Sequence, residues 1–424
     1  MATVIEGRAP GTYIEQVFKQ SEAPFLTGVP AFIGLVGASS DAGKSAESDL
    51  LSAGSVAQLD KRRFAELESR CGHRWGGGAL GLAVRGFFEN GGSLCFVVDP
   101  RLGGLPKALD ALDAIEDFDL LCAPDIATSN AADMLARQAQ IAEYCRQRGG
   151  CFAVLDSIGA PALVPEISKA ALGSHRDSLV AALGVYEANA FAALYGPWLR
   201  VREGCRTCGG TGLLSGSTCP NTTCGGTGSG FLPPCGHVAG IIARTDAGAG
   251  VHKAPANEQV EGAIDIRVRL DDAAQAAMNP KGVAWLNVIR AFPGRGLRVW
   301  GARTLSSDPE WTQVSVRRLL LTVGRWLERL AQTVAFEPNN FALWIRINRQ
   351  VTDYLQGLFA SGALKGSSPA EAFFVKCDGE LNTPQVRESG RVITEVGVAP
   401  IKPNEFIIVR LISNAQDSSS SATT

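Results

Sequence analysis

Histidine, tyrosine and methionine are scarce in this 424-residue chain, at four, five and three copies. Nucleophilic catalysis needs a base and an orienting acid beside a Ser or Cys, and only His73, His175, His237 and His252 could serve. None lies in a catalytic sequence context: Cys71-Gly-His73 reads as a helix-ending turn, and Asp271-Asp272 or Asp110 with Asp113 read as solvated faces. The residues therefore give no positive case for an enzyme. Long apolar runs are also missing, since no uncharged stretch reaches the roughly 18–20 residues that span a bilayer, so direct membrane insertion is not expected. Charge of one sign is lacking too. The 40 basic and 42 acidic side chains nearly cancel, which removes any whole-protein field for capturing nucleic acid or an acidic membrane surface. Met1-Ala-Thr-Val-Ile-Glu6 has neither the basic region nor the apolar run of a signal peptide, and the 11 cysteines are odd in number and scattered outside one cluster. Both point to synthesis in a reducing cytoplasm.

What is present suits a folded protein of several parts. Apolar residues at 46% against 19% charged exclude a disordered chain, and the length predicts two to four domains. Arginine exceeds lysine about three to one, which favours fixed, multidentate contacts to carboxylates and carbonyls.

Residues 1–29 read as an arm in which Thr12-Tyr13-Ile14-Glu15-Gln16-Val17 is one strand without a local partner. Pro30-Ala-Phe-Ile-Gly-Leu-Val-Gly37 is a continuous apolar run of the kind buried on both faces of a sheet. Helical periodicity at 55–70, 79–90, 105–116, 129–148 and 174–184 alternates with strands at 94–99, 119–122 and 151–156. That alternation predicts a mainly parallel α/β layer over 30–202. Composition shifts to Gly, Cys, Ser and Thr over 203–230, and 231–404 reads as a second folded unit. Its expected elements are strands at 283–290, 297–303, 371–377 and 391–398 and helices at 310–334 and 339–361. A detached strand, Glu405-Phe-Ile-Ile-Val-Arg-Leu-Ile412, closes the pattern as an arm over 405–413, and the polar 414–424 is expected to be disordered. The fold class expected is thus α/β or α+β, with two domains, two arms and a small insert.

Gly37-Ala-Ser-Ser-Asp-Ala-Gly43-Lys44-Ser45 follows a buried strand in the manner of a phosphate-binding loop, but five residues separate the glycines where the motif needs four. It reads as a surface loop. The cysteine segment carries more. Cys205-Arg-Thr-Cys208-Gly-Gly-Thr-Gly212 and Cys219-Pro-Asn-Thr-Thr-Cys224-Gly-Gly-Thr-Gly228 repeat one pentapeptide after a sixteen-residue step. Two such knuckles supply four thiolates to one tetrahedral zinc, a closed structural site, with Cys205, Cys208, Cys219 and Cys224 as ligands and Cys235-Gly-His237 near enough to substitute. The first knuckle resembles the Cys-x-x-Cys-x-Gly-x-Gly repeat of DnaJ-type chaperones; the second departs from it in spacing. A zinc-dependent binding or chaperone-like module is the alternative functional reading.

From about 232 to 411 the chain resembles the tail sheath proteins of contractile phages and related contractile injection systems. The matching strings are Pro233-Pro-Cys-Gly-His-Val-Ala-Gly240, Ala243-Arg-Thr-Asp246, Gly250-Val-His-Lys-Ala-Pro-Ala-Asn257, Asn287-Val-Ile-Arg290, Gly294-Arg-Gly-Leu-Arg-Val-Trp-Gly-Ala-Arg-Thr304, Phe336-Glu-Pro-Asn-Asn340, Phe373-Phe-Val-Lys-Cys-Asp378 and Gly397-Val-Ala-Pro400. Looser agreement comes from Pro10-Gly-Thr-Tyr13, Val29-Pro-Ala-Phe-Ile-Gly34 and Phe87-Phe-Glu-Asn-Gly-Gly92, while 203–230 departs from the pattern.

The resemblance implies a non-enzymatic structural subunit, assembled in the cytoplasm into a phage-tail-like particle. Its partners would be copies of itself in helical, hexameric layers, possible sheath paralogues, an inner tube protein, and baseplate and terminal cap proteins. Arms would add strands to neighbouring subunits, with Tyr13, Ile14 and Val17 in one and Phe406, Ile408 and Val409 in the other. Contraction would be a collective rigid-body rearrangement. The 231–404 unit would face the tube, with Arg317, Arg318, Arg325 and Arg329 of the helix at 310–334 candidates for holding an acidic tube surface. The short length, without large outer insertions, leans toward the compact sheaths of injection systems.

Overall fold

The computed structural model describes residues 25–34, 56–71, 79–98 and 104–403, with breaks at 129, 160–166, 185, 203–207, 209–210, 221–223, 225 and 281–283. Both arm strands and the loop at 37–45 lie outside the described residues.

Strand β1 (Pro30–Ile33) is buried throughout, as its unbroken apolar run predicts. Residues 55–70 carry two elements where the sequence suggested one: strand β2 (Val56–Asp60) and helix α1 (Lys61–Cys71). The junction is Asp60, whose Oδ1 accepts from the Arg63 amide at 2.8 Å and so caps the helix. Helix α2 (Leu80–Glu89), β3 (Leu94–Val98), α3 (Gly104–Leu112), β4 (Leu120–Cys122), α4 (Ala131–Arg148), β5 (Phe152–Asp156) and α5 (Lys169–Leu183) follow the expected alternation. A short α6 (Tyr186–Asn189) leads into β6 (Ala192–Gly196) and β7 (Leu199–Val201). Beyond the insert, whose hairpin is β8 (Leu213–Leu214) and β9 (Ser217–Thr218), come β10 (Gly230–Leu232) and helix α7 (Cys235–Ala249).

Helix α7 is buried from Cys235 to Ala243, and sequence reasoning assigned no helix there. Its Gly-rich start is needed for contact with α2: a Cβ on Gly236 would fall 2.0 Å from the Ala83 carbonyl oxygen, and one on Gly240 2.4 Å from that of Phe87. Two backbones therefore touch, and glycine's poor helix propensity is outweighed by packing.

Next are β11 (Glu258–Gln259), β12 (Ala263–Ile266), α8 (Asp272–Met278), β13 (Leu286–Phe292) and β14 (Gly296–Val299). They decide the domain organisation. The main sheet has nine strands in the order β11-β14-β13-β6-β5-β4-β1-β3-β2. Pairing is parallel from β3 through β1, β4, β5 and β6 to β13, with antiparallel strands at the edges. The split into 30–202 and 231–404 is therefore corrected: β13 lies parallel to β6, with Leu286 opposite Leu194, so the body runs across the boundary placed at 231. An apolar edge strand finds its partner by burial, without regard to the insert that separates them in sequence.

The C-terminal unit starts within helix α9 (Val314–Val334) and continues through α10 (Phe341–Ala360), α11 (Pro369–Ala372), β15 (Phe373–Lys376), α12 (Pro384–Glu388) and β16 (Glu395–Val398). Val314 and Leu321 of α9 belong to the main core, whereas Val323 joins a second one with Leu343, Trp344, Ile347, Val351, Leu355 and Cys377. Leu319 packs in a further small cluster with Ala363, Leu364 and Ala372, so helix α9 is a spine shared by the main core and the C-terminal ones.

Candidate sites: a buried charge junction and a thiol cluster

Arg318 sits where the two cores meet. It is 2% exposed, so the tube-facing assignment is corrected for this residue. Its guanidinium grips Asp246 with both ends, at 2.8 and 2.6 Å, and also reaches Asp119 at 2.8 Å. Asp119 in turn accepts from the amides of Val29 at 2.7 Å and Gly28 at 3.1 Å, which lead into β1. Burial pushes the Asp246 carboxyl up, opposed chiefly by the charge of Arg318, and the two aspartates hold the arginine firmly protonated. One side chain on α9 therefore ties together the end of α7, the start of β4 and the entry to β1.

Arg317 and Arg325 are half-buried and make contacts within the subunit that the tube-facing reading did not include. The Arg317 guanidinium lies 3.7 Å from the ring centre of Phe191 and 4.7 Å from that of Trp311, and burial lowers its pKa to about 10. Arg325 donates to the Glu116 carbonyl at 3.3 Å and covers Phe25 at 5.0 Å. Exposed Arg329 also approaches Phe25, at 6.0 Å. A helix with two apolar faces turns its arginines toward whichever neighbours supply acceptors and rings, a choice that periodicity does not reveal.

Several strings that carried the resemblance prove to be internal clamps. Asn287 bonds both the carbonyl and amide of Arg303, at 2.7 and 2.8 Å, and buried Asn90 does the same for Glu261 at 3.1 and 2.9 Å. Asp156, at the end of β5, accepts from the Cys235 amide at 2.7 Å and so receives the N-terminus of α7. Burial nevertheless raises its pKa to about 7. His237 is buried against Gly86, and burial drops its pKa to about 4, so it is held neutral and away from the thiol cluster's ligand set.

The crevice at the C-terminal ends of β1 and β4, where doubly wound sheets bind ligands, is lined by Gly34, Leu105, Asp125, Arg137 and Gln140. Asp125 is already committed to the Ala79 amide.

The insert gathers Cys208, Cys219 and Cys224, all buried, with their sulfurs within 4.8 Å of one another. Cys205 lies outside the described residues. The Sγ atoms of Cys208 and Cys224 are 3.6 Å apart. Each accepts an amide four residues on, from Gly212 and from Gly228, both at 3.2 Å. The insert leaves and rejoins the body at Val201 and Gly230, which are paired across β7 and β10.

The comparisons with known proteins agree with this architecture. The family model for the phage tail sheath protein central domain matches residues 104–305, and that for the phage tail sheath C-terminal domain matches 306–412. The chain belongs to the phage tail sheath family. The boundary between those two matches falls where the nine-stranded body gives way to α9. Among relatives, the tail sheath protein of Salmonella phage ViI is 25% identical over 174 residues, 40% of this chain and 26% of that protein, so the match spans about a quarter of the relative's length. Two solved structures are similar over nearly the whole chain. The anti-feeding prophage helical sheath in its contracted state has 28% identity and a TM-score of 0.69, covering 96% of this chain and 100% of that one. The contracted sheath complex of an extracellular contractile injection system, PVC, has 25% identity and a TM-score of 0.70, covering 96% and 98%.

Proposed function

We propose that the chain is the structural subunit of a contractile sheath, polymerising helically around an inner tube and contracting by collective rigid-body rearrangement to drive the tube through a target envelope. The observation that carries this reading is the similarity to two contracted injection-system sheaths over 96% of the chain. Baseplate and cap proteins are the expected partners at the ends of such a tube, and the particle is expected to assemble in the cytoplasm. Force would come from packing set up at assembly, which requires no catalytic group in this chain.

The geometry fits that role. A subunit that transmits force as a rigid body needs its halves locked, and the Arg318 junction joins body and spine through charge-assisted bonds. Sheet β15–β16 pairs Phe373 with Val398 and Lys376 with Glu395, and it has two strands only among the described residues. Two strands alone are marginal in water, so their outer edges are natural acceptors for the arm strands at 12–18 and 405–412 of neighbouring subunits. Beside the arginine row, the turn after α9 and the first turns of α10 offer a surface for a neighbour or tube, with Phe336, Phe341 and Ile345 at 107%, 68% and 52% exposed.

Electron microscopy of the chain coexpressed with its tube protein tests the reading. Helical tubes are expected, and persistent folded monomers would overturn it. Deleting 405–412 should leave a folded subunit that no longer forms tubes. The chaperone-like alternative would predict that the insert alone carries the activity and that tubes never form.

A further inference from the structure

We propose that the insert is a zinc-thiolate knuckle pair, carried on the paired strands β7 and β10, in which Cys208, Cys219 and Cys224 are ligands and the metal supplies the insert's folding energy. It goes beyond the sheath reading and does not depend on it.

Three observations lead there. First, the two halves of the insert repeat in structure as well as in sequence. Beyond the matched amide-to-sulfur bonds, Thr211 Oγ1 donates to the Cys208 carbonyl at 2.8 Å and Thr227 Oγ1 to the Cys224 carbonyl at 2.5 Å. Gly212 and Gly228 both adopt positive φ, at 79° and 75°, the conformation that turns each amide toward its sulfur. An amide aimed at sulfur stabilises a thiolate, and two such knuckles bring two thiolates to one point. A separation of 3.6 Å fits two sulfurs of one tetrahedral metal centre, where the cation offsets the repulsion that two bare thiolates would feel.

Second, the described residues of the insert carry no apolar core of their own. Its buried cluster consists of the three cysteines alone, while Leu213 and Leu214 at the hairpin tip are 55% and 42% exposed. A segment without an apolar core holds its shape through a metal or cross-links. Third, three other described cysteines sit in a different setting. Cys95, Cys145 and Cys235 lie in the main apolar core, where burial pushes their thiols well up and keeps them inert.

Soft thiolate donors at these separations suit tetrahedral Zn2+. Cys205, three residues before Cys208, is the fourth ligand expected from the sequence. The second knuckle is tied to the body, since Thr227 Oγ1 meets Ser229 Oγ at 2.7 Å and the Arg200 guanidinium reaches that serine at 3.0 Å. Metal binding would therefore fix the hairpin in one orientation on the body.

The test is elemental analysis of the full chain purified without chelator, paired with thiol titration and intact mass. One zinc per chain, released with the appearance of reactive thiols when a mercurial is added, is the expected result. Cys224→Ser should lose the zinc while the body's circular dichroism is retained, and Cys205→Ser should weaken binding. A metal-free chain with freely titrating thiols, a mass showing a disulfide between two of the cysteines, or iron in place of zinc would each overturn the proposal. Because the readout is stoichiometry, it stands apart from whether the chain forms tubes.

Discussion

The body and the insert are folded by opposite means. From Val29 to Leu321 the body encloses one continuous apolar cluster and closes it with a buried arginine between two aspartates. The insert buries three cysteines and leaves its leucines in solvent. What this teaches is that an inserted segment on paired strands need not share its host's energetics. Its ends meet at Val201 and Gly230, so the host's fold does not depend on what happens between them.

Removing the charge junction should damage the body most. Arg318→Ala leaves two buried carboxylates without their cation, and a loss of about 3–5 kcal/mol is expected in chemical denaturation. A midpoint unchanged from wild type would show that the junction is not what joins the two cores. By contrast, charge reversal at Arg318 is uninformative about a tube surface, because a buried glutamate there would unfold the subunit before any tube were met.

Asp156 comes next and has a sign. Its pKa is raised to about 7 by burial, so its stabilising contribution is full below the ordinary carboxyl range and is lost as pH rises through about 7. Asp156→Asn keeps an acceptor for the Cys235 amide and removes the ionisation. Wild type should therefore lose stability relative to this variant as pH rises from about 4 to about 7, by at most about 4 kcal/mol, and the difference should level off above that. Parallel pH profiles for the two proteins would reject the assignment.

Smaller effects follow from packing. Gly236→Ala places a methyl group against the Ala83 carbonyl and should cost about 1–3 kcal/mol in thermal melts, despite alanine's better helix propensity. A neutral or stabilising result would mean that α2 and α7 separate easily. Least of all, a chelator or Cys208→Ser should leave the melting of the body within about 0.5 kcal/mol, with changes confined to hydrogen exchange of the insert. A large shift in the body's melting would end the contrast between the two regions.

Much of the architecture is legible in the residues. Buried strands such as Pro30–Ile33 and Phe152–Asp156 announce themselves as unbroken apolar runs, and helices such as Ala131–Arg148 carry a cap, here Asn130 accepting from the Asp133 amide at 2.9 Å. Helix α7 escaped because its glycines and buried polar residues resemble a loop until α2 is placed against it. In the insert, spacing identified the knuckles, but the convergence of Cys208, Cys219 and Cys224 required the chain to fold back over the hairpin at Leu213–Thr218.

By itself, then, the sequence determined the order and kind of most elements, the family to which the chain belongs, and the repeated thiol pattern, because those are properties of neighbours along the chain. Only the tertiary structure decided that β13 joins the first sheet, and that Arg318 answers to Asp246 and Asp119, 72 and 199 residues away. Helical periodicity reports which face of α9 a residue occupies. It does not report whether that face meets water, a ring or a carboxylate, since this is settled by long-range packing and by the need of each buried charge for a partner.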